Sequence, residues 1–339
     1  MSFRRFSAIV LCFVGTALAV GCGASAADKV SPFVGNWALT IPSGAAGWLS
    51  VSSQDGKTFS ADLLWGSGSV LPTRDVKLEN NTLTFTRDPL GGKPLTKGQV
   101  APPIDLISAT VDGDLMKMTA VQKFPDGRLG EPAKFFGMRL PPLPARPDLS
   151  KVRFGEPISL FNGKNIDGWR LVNPKAPNGW SAQDGVLVND PAQKPGKSRK
   201  RYGNLRTDRE FEDFRLTLET NVPPGGNSGI YLRGIYEVQV SDSHGRPLDC
   251  HNMGAVYSRI TPTEAAEKPA GQWQTMDITL VDRHATVILN GKTIIDNQPL
   301  LGCTGGALWS NPIQPGPIYL QGDHTGIQYR NIVLRPVVK

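Results

Sequence analysis

The sequence predicts an all-β protein, a small barrel followed by a larger jelly-roll sandwich. Three observations carry that expectation. Short runs in which every second residue is apolar recur along the chain, whereas apolar residues at helical spacing are scarce. Asn-Asn, Asn-Gly and Asp-Gly pairs punctuate those runs where tight hairpins need positive φ. A stretch from Leu140 to Ser150, LPPLPARPDLS, holds four prolines in eleven residues and divides the chain, because such a segment is extended and cannot sit inside a sheet. At 339 residues the chain is long enough to bury two cores.

Residues 1–27 read as an export leader. MSFRRF is a basic start, SAIVLCFVGTALAV is apolar, and Ala24 to Ala26 are small residues suited to cleavage. The apolar stretch is short for a membrane span, and no later stretch is long enough to be one. LAVGC, ending at Cys22, resembles a lipoprotein box with Ala19 where Leu is preferred. The expectation is an exported protein in the periplasm or on the outer cell surface, either soluble or held to the membrane by a lipid anchor at Cys22. Loss of Arg4 and Arg5 leaves a net charge of 37 − 2 − 30 = +5. The basic run Lys194 to Arg206, KPGKSRKRYGNLR, reads as a solvated loop, since export argues against a nucleic-acid partner. Cys250 and Cys303 lie beyond the leader, and two cysteines in an oxidising compartment suggest one disulfide, worth roughly 4 kcal/mol.

Residues 28–139 form the first unit. WLSVSSQDGKTFSADLLW turns at Asp55-Gly56, VKLENNTLTFTR at Asn80-Asn81, and SATVDGDLMKMTA around Asp112-Gly113. Roughly eight strands at this spacing suggest an up-and-down barrel. VGNWALTI is similar to the Gly-x-Trp entry strand of lipocalin-like barrels, which assigns Trp37 to the core. No cluster of titratable groups appears here, so the unit is expected to bind or to space rather than to catalyse. Residues 140–153 are the linker.

Residues 154–339 form the second unit. EFEDFRLTLETNV alternates Phe214, Leu216 and Leu218 against Arg215, Thr217 and Glu219, and WQTMDITLVDRHATVILNGKTIID is a hairpin series with Asn290-Gly291 as its turn. In GGNSGIYLRGIYEVQVSDS, Ile230 and Leu232 alternate with Tyr231 and Arg233, and Val238 and Val240 with Glu237 and Gln239. One face is buried and one open. A three-residue link, Gly234 to Tyr236, would pair the two strands and set Arg233 beside Glu237. On a solvated sheet that pair is an ion pair worth about 0–1 kcal/mol.

The phrases LFNGKNIDGW, GGNSGIYLR, YEVQVSD, GAVY, KPAGQWQTMDITL, LNGKTIID and GPIYLQGDH…YRNI carry a resemblance. In their order they resemble the 3-keto-disaccharide hydrolase family, whose fold is a concanavalin A-like sandwich. The resemblance covers about residues 155 to 337. It implies an enzyme acting on glycosides oxidised at carbon 3. The carbonyl acidifies the carbon-2 proton, a general base removes it, the aglycone leaves by β-elimination, and water adds to the product. Such a site needs a base, a donor for the enolate oxygen and an acid for the leaving group.

The resemblance brings Asn227, Arg233, Glu237, Gln239 and Asp242 to the site. Glu237 is the expected base, with Asp242 and His324 next. Arg233 would stabilise the enolate, Asn227 and Gln239 would hold sugar hydroxyls, Tyr257 would donate to the leaving oxygen, and Trp273 would stack on the sugar or join the core. His244 and His251 are expected to face solvent. SDSHGRPLDCHN matches no metal motif, so no cofactor is required and a divalent cation such as Ca²⁺ stays open. A glycan-binding module or a surface scaffold is the alternative function, because the same sandwich serves lectins. A pair of carboxylates for ordinary glycoside hydrolysis is not evident on one strand.

Overall fold

The alternating runs fold as strands in three sheets, in a computed structural model that describes residues 31–193 and 200–338. The leader, Cys22 and the first part of the basic run therefore lie outside the described residues. Among the described residues helical structure is limited to a 3-10 turn at Leu149–Lys151, capped by Asp148.

The first unit is one nine-stranded sheet. Its strands are β1 (Gly35–Thr40), β2 (Ala46–Ser53), β3 (Phe59–Trp65), β4 (Leu71–Pro72), β5 (Arg74–Glu79), β6 (Thr82–Arg87), β7 (Ile104–Asp112), β8 (Leu115–Lys123) and β9 (Ala133–Arg139). The spatial order is β4-β3-β2-β1-β9-β8-β7-β6-β5. Its two edge strands, β4 and β5, are separated in sequence by Thr73 alone, so the sheet must curl back on itself as a barrel-like layer. Asn80 and Asn81, both at positive φ, make the two-residue turn between β5 and β6. Trp37, Leu39, Leu49 and Leu63 point inward and are almost fully buried with Phe33, Leu83 and Met116, so side chains fill the interior.

The second unit packs two antiparallel sheets face to face. The larger takes β10 (Ile158–Ser159), β12 (Trp180–Gln183), β13 (Val186–Asn189), β15 (Phe214–Asn221), β18 (Gln274–Val281), β19 (His284–Leu289), β20 (Lys292–Pro299) and β22 (Ile327–Pro336). The smaller runs β11-β14-β21-β16-β17, from β11 (Trp169–Leu171) through β14 (Leu205–Thr207), β21 (Tyr319–Leu320) and β16 (Asn227–Leu232) to β17 (Tyr236–Ser241). Leu216, Leu218, Ile278, Leu280 and Val287 from one sheet meet Ile230, Leu232, Val238, Val240 and Leu320 from the other in the jelly-roll core.

That core does not stop at the sandwich. Ala38, Ala46, Trp48 and Leu64, on the outer face of the barrel, belong to the same buried cluster. Trp48 donates its indole N–H to Leu301 O at 3.2 Å, and the Arg259 guanidinium lies 3.9 Å from the centre of its ring. The two units meet without room for a side chain at two glycines: a Cβ on Gly302 would stand 2.0 Å from Trp48 Cδ1, and one on Gly305 would stand 2.2 Å from Gly68 O. The proline-rich connection runs beside β20, where Asn297 donates to Pro147 O at 2.8 Å and Arg146 pairs with Asp296.

Two sequence expectations change. The β16–β17 link is Arg233–Ile235, one residue earlier than expected, because Leu232 pairs with Tyr236 and Arg233 takes the left-handed conformation of the turn at φ +54°. The anticipated open face of β17 is also covered, and all six of its residues are buried.

Candidate active site

Strand register builds the site. Tyr319 pairs with Tyr231, and Tyr231 pairs with Glu237. Beyond β17, Val256 bridges Val238 with both side chains in the core, which turns Tyr257 to the Glu237 face. The result is a row, Tyr319–Tyr231–Glu237–Tyr257, across the smaller sheet. The first two rings stack at 4.1 Å. Asn204 donates to the Tyr319 hydroxyl at 2.8 Å.

The segment from Cys303 to Leu308 lies over this row. The Thr304 hydroxyl accepts from Glu237 N at 2.9 Å and donates to Ile235 O at 3.1 Å. Tyr231 stands 2.8 Å from Glu237 Oε2 and 2.7 Å from Gly305 O, yet its hydroxyl carries one proton for two acceptors. A protonated Glu237 resolves that conflict by donating to Tyr231 while Tyr231 donates to Gly305. An ionised Glu237 must compete with Gly305 O for the same proton. Glu237 is 3% exposed. Burial pushes its carboxyl up to about 8, the Asp323 charge adds to the rise, and the Tyr231 hydrogen bond only partly opposes it.

Gly229 faces Glu237 at the adjoining position, and a Cβ there would stand 2.3 Å from Glu237 Oε1. The obstructing atoms, Oε1, Cδ and Cγ, all belong to the Glu237 side chain, so Gly229→Ala should fold while displacing the carboxyl. The expected result is a loss on the order of a hundredfold in kcat/KM, with the urea midpoint nearly unchanged. Paired activity and unfolding measurements check it.

Around this row the expected residues separate. Gln239 opposes Gly229, and Asn227 opposes Ser241, on the same face. Gln239 Oε1 and Asn227 Oδ1 are buried without a hydrogen-bond partner, and so is Oε1 of Gln321, which the sequence reading missed. Gln321 donates its backbone N–H to Gly229 O, so the three amides flank one glycine floor. His324 sits with Nδ1 2.8 Å from Asp323 Oδ1. Burial opposes ionisation of Asp323, but His324 outweighs it and holds that carboxyl below its usual range.

Five expectations are not met in the form given. Arg233 leaves the face at the turn and donates to the carbonyls of Pro312 and Gln314, so it forms no ion pair with Glu237. Asp242 accepts from Gly225 N at 2.9 Å and ties the loop before β16. Trp273 immediately precedes β18, which belongs to the other sheet, with Arg330 4.0 Å over its ring. Cys250 and Cys303 are both free: Cys303 is buried against Gly47 O at the junction of the units, while Cys250 stands half-exposed beside His251. Burial pushes the Cys303 thiol up to about 11. His251, expected to face solvent, is half-buried with its ring edge-on to Tyr257 at 5.0 Å. Among the described residues no group of three or more His, Cys, Asp or Glu side chains could hold a metal ion.

Comparison with known proteins bears on residues 156–335, which match the family described as the 3-keto-alpha-glucoside-1,2-lyase-like domain. A 3-keto-disaccharide hydrolase of Bacteroides thetaiotaomicron is 28% identical over 148 residues, 36% of this chain and 51% of that protein. The chain thus spans about half the length of the curated relative it matches. Among solved structures, a candidate glycosyl hydrolase of Parabacteroides distasonis ATCC 8503 is 28% identical at a TM-score of 0.43, covering 58% of this chain and 93% of that one. A carbohydrate-binding module, CBM66 of Bacillus subtilis, is 13% identical at a TM-score of 0.29, covering 50% of this chain and 94% of that one.

Proposed function

The chain belongs to the 3-keto-alpha-glucoside-1,2-lyase-like family, and on that premise we propose that it cleaves glycosides already oxidised at carbon 3. The observation that carries the reading is Glu237, a buried carboxyl raised to about 8 and set between Tyr231 and Tyr257. A carboxylate with that proton affinity is a stronger base than an ordinary glutamate, which favours abstraction of a proton next to a carbonyl.

In the proposed reaction ionised Glu237 takes the carbon-2 proton, and the electron pair forms an enolate with the carbon-3 carbonyl. The enolate then expels the aglycone oxygen from carbon 1, and Tyr257 donates a proton to it. Water adds across the resulting double bond, with its proton going to carbon 2 and its hydroxyl to carbon 1. Arg233 has no part in this scheme, since its guanidinium is held by backbone carbonyls. The amides of Asn227, Gln239 and Gln321 are the hydrogen-bonding groups for the sugar, because their buried oxygens have no other partner.

A glycan-binding module is the second reading, favoured by the small exposure of Glu237 and by the stacked Tyr231 and Tyr319 rings. Incubation with an aryl 3-keto-glucoside in D₂O separates the two. The expected outcome is release of the phenol with deuterium at carbon 2 of the hydrated sugar. Saturable binding without release would overturn the enzymatic reading.

A further inference from the structure

The barrel reaches the cover of the site. Its loop between β3 and β4, residues 66–70, lies outside the family-matched residues 156–335, yet it packs on the strap from Leu301 to Leu308 that covers Glu237. The sandwich ties that strap at two points, where Thr304 N donates to Ile235 O and Leu308 N donates to Gly234 O, both at 2.9 Å. The barrel holds what lies between. Gly306 donates its N–H to Gly66 O at 2.9 Å, and Gly305 lies so close to Gly68 that a Cβ on it would stand 2.2 Å from Gly68 O. Upstream, Trp48 donates to Leu301 O at 3.2 Å. On its other side the strap touches Tyr231. A Cβ on Gly306 would stand 2.8 Å from the Tyr231 hydroxyl, and Gly305 O lies 2.7 Å from that hydroxyl. Two glycines are thus held between the barrel loop and the tyrosine that bonds Glu237.

We propose that Gly305 is a positioning residue of the active site, held in place by the barrel, whose carbonyl draws the Tyr231 hydroxyl away from Glu237. The inference rests on the elimination chemistry proposed above, in which Glu237 is the base. One phenol proton serves either the Gly305 carbonyl or the carboxylate. A carbonyl fixed at 2.7 Å competes for it, so the ionised carboxylate is denied a donor that would stabilise it and stays the stronger base. The other ionisable groups acting on Glu237 enter from other elements. Tyr319 comes from β21, Asp323 with its partner His324 follows β21, Tyr257 comes from the segment beyond β17, and Tyr329 acts from β22. Burial keeps these tyrosines protonated, and the Asp323 charge raises the proton affinity of Glu237. The barrel therefore tunes the base through a single peptide group.

Gly305→Ala tests the assignment, because its methyl group would meet the backbone of Gly68 and must part the strap from the loop. With an aryl 3-keto-glucoside, the midpoint of the pH–rate profile should fall by about one pH unit. The plateau kcat should fall by about threefold to tenfold, as a weaker base requires. Independently of turnover, ¹³C NMR of glutamate-labelled protein, with Glu237 assigned through Glu237→Gln, follows the carboxyl itself and should show the same fall. Tyr231→Phe should raise the midpoint, and adding Gly305→Ala to it should shift the midpoint no further. Where Gly305→Ala fails to fold, the same measurements use a full chain ligated at Cys303 in which oxygen replaces the N–H of Gly306. That exchange removes the bond to Gly66 O and weakens the Gly305 carbonyl as an acceptor. An unchanged midpoint overturns the proposal, and so does an equal fall with and without Tyr231, which would mean that water entered the site. If the parent protein turns over no 3-keto-glycoside, the functional reading fails, and the NMR midpoints alone decide whether Gly305 governs Glu237.

Discussion

Glu237→Gln is expected to fold, to bind substrate, and to lose on the order of 10²–10⁴-fold in turnover. Glutamine keeps the volume and one acceptor, so Tyr231 retains a partner, but no atom can take the carbon-2 proton. In the parent protein the rate should climb with pH toward a plateau above about 8, where the carboxyl is ionised. A rate that falls through the same window would make Glu237 the acid instead.

Stability should move the opposite way. The folded carboxyl holds its proton up to about 8, whereas the unfolded one releases it near the ordinary value of 4.5. The native state therefore binds more protons between these values, and stability falls as pH rises through that window. The full loss is on the order of 5 kcal/mol. It is absent below the unfolded value and complete above about 8. Glu237→Gln lacks the slope, so urea unfolding at pH 5 and at pH 8.5 should find the variant gaining on the parent at the higher pH. Parallel stability curves for the two proteins would show that Glu237 is not held protonated.

Trp48→Ala should destabilise the protein by about 4 kcal/mol. Trp48 is 4% exposed and joins the barrel face to the sandwich core. Its removal opens a cavity under Gly302 and strips the aromatic face from Arg259, whose guanidinium burial pulls down to about 10. That cation keeps a bond to Cys303 O, but it loses the ring that replaces water on one side. Trp48→Phe should cost less, because the ring survives without the indole N–H bond to Leu301 O. Far-UV circular dichroism during urea unfolding should show a lower midpoint for Trp48→Ala. A change below about 1 kcal/mol would mean that the two units do not share a core in solution.

Much of the fold is legible in the sequence because local physics dictates it. Asn80-Asn81 and Asn290-Gly291 take the positive φ that their hairpins need, and Ile230, Leu232, Val238 and Val240 bury the face that their alternation marks. Glu237, Gln239 and Asn227 are brought to one face in the same way, whereas Tyr257 reaches it through the bridge between Val238 and Val256. Arg233 escaped because its role turns on one step of register: nothing in Leu-Arg-Gly-Ile says which residue begins the turn. The covering of β17 was equally hidden, since the atoms over Glu237 come from Thr304 and Gly305, more than sixty residues away. Counting cysteines showed two candidates for a bridge, but pairing is a matter of place, and Cys303 is sequestered against Gly47. His251 lacked a local signal because its partner, Ser69, belongs to the other unit.

Gly302 and Gly305 have a use beyond this chain. With Trp48 and the Gly68 carbonyl where their side chains would be, neither position accepts even a methyl group without moving the units apart. The pair therefore works as a diagnostic for ancestry and assembly. A relative that carries a barrel but bears larger residues at the equivalent positions must seat that barrel elsewhere.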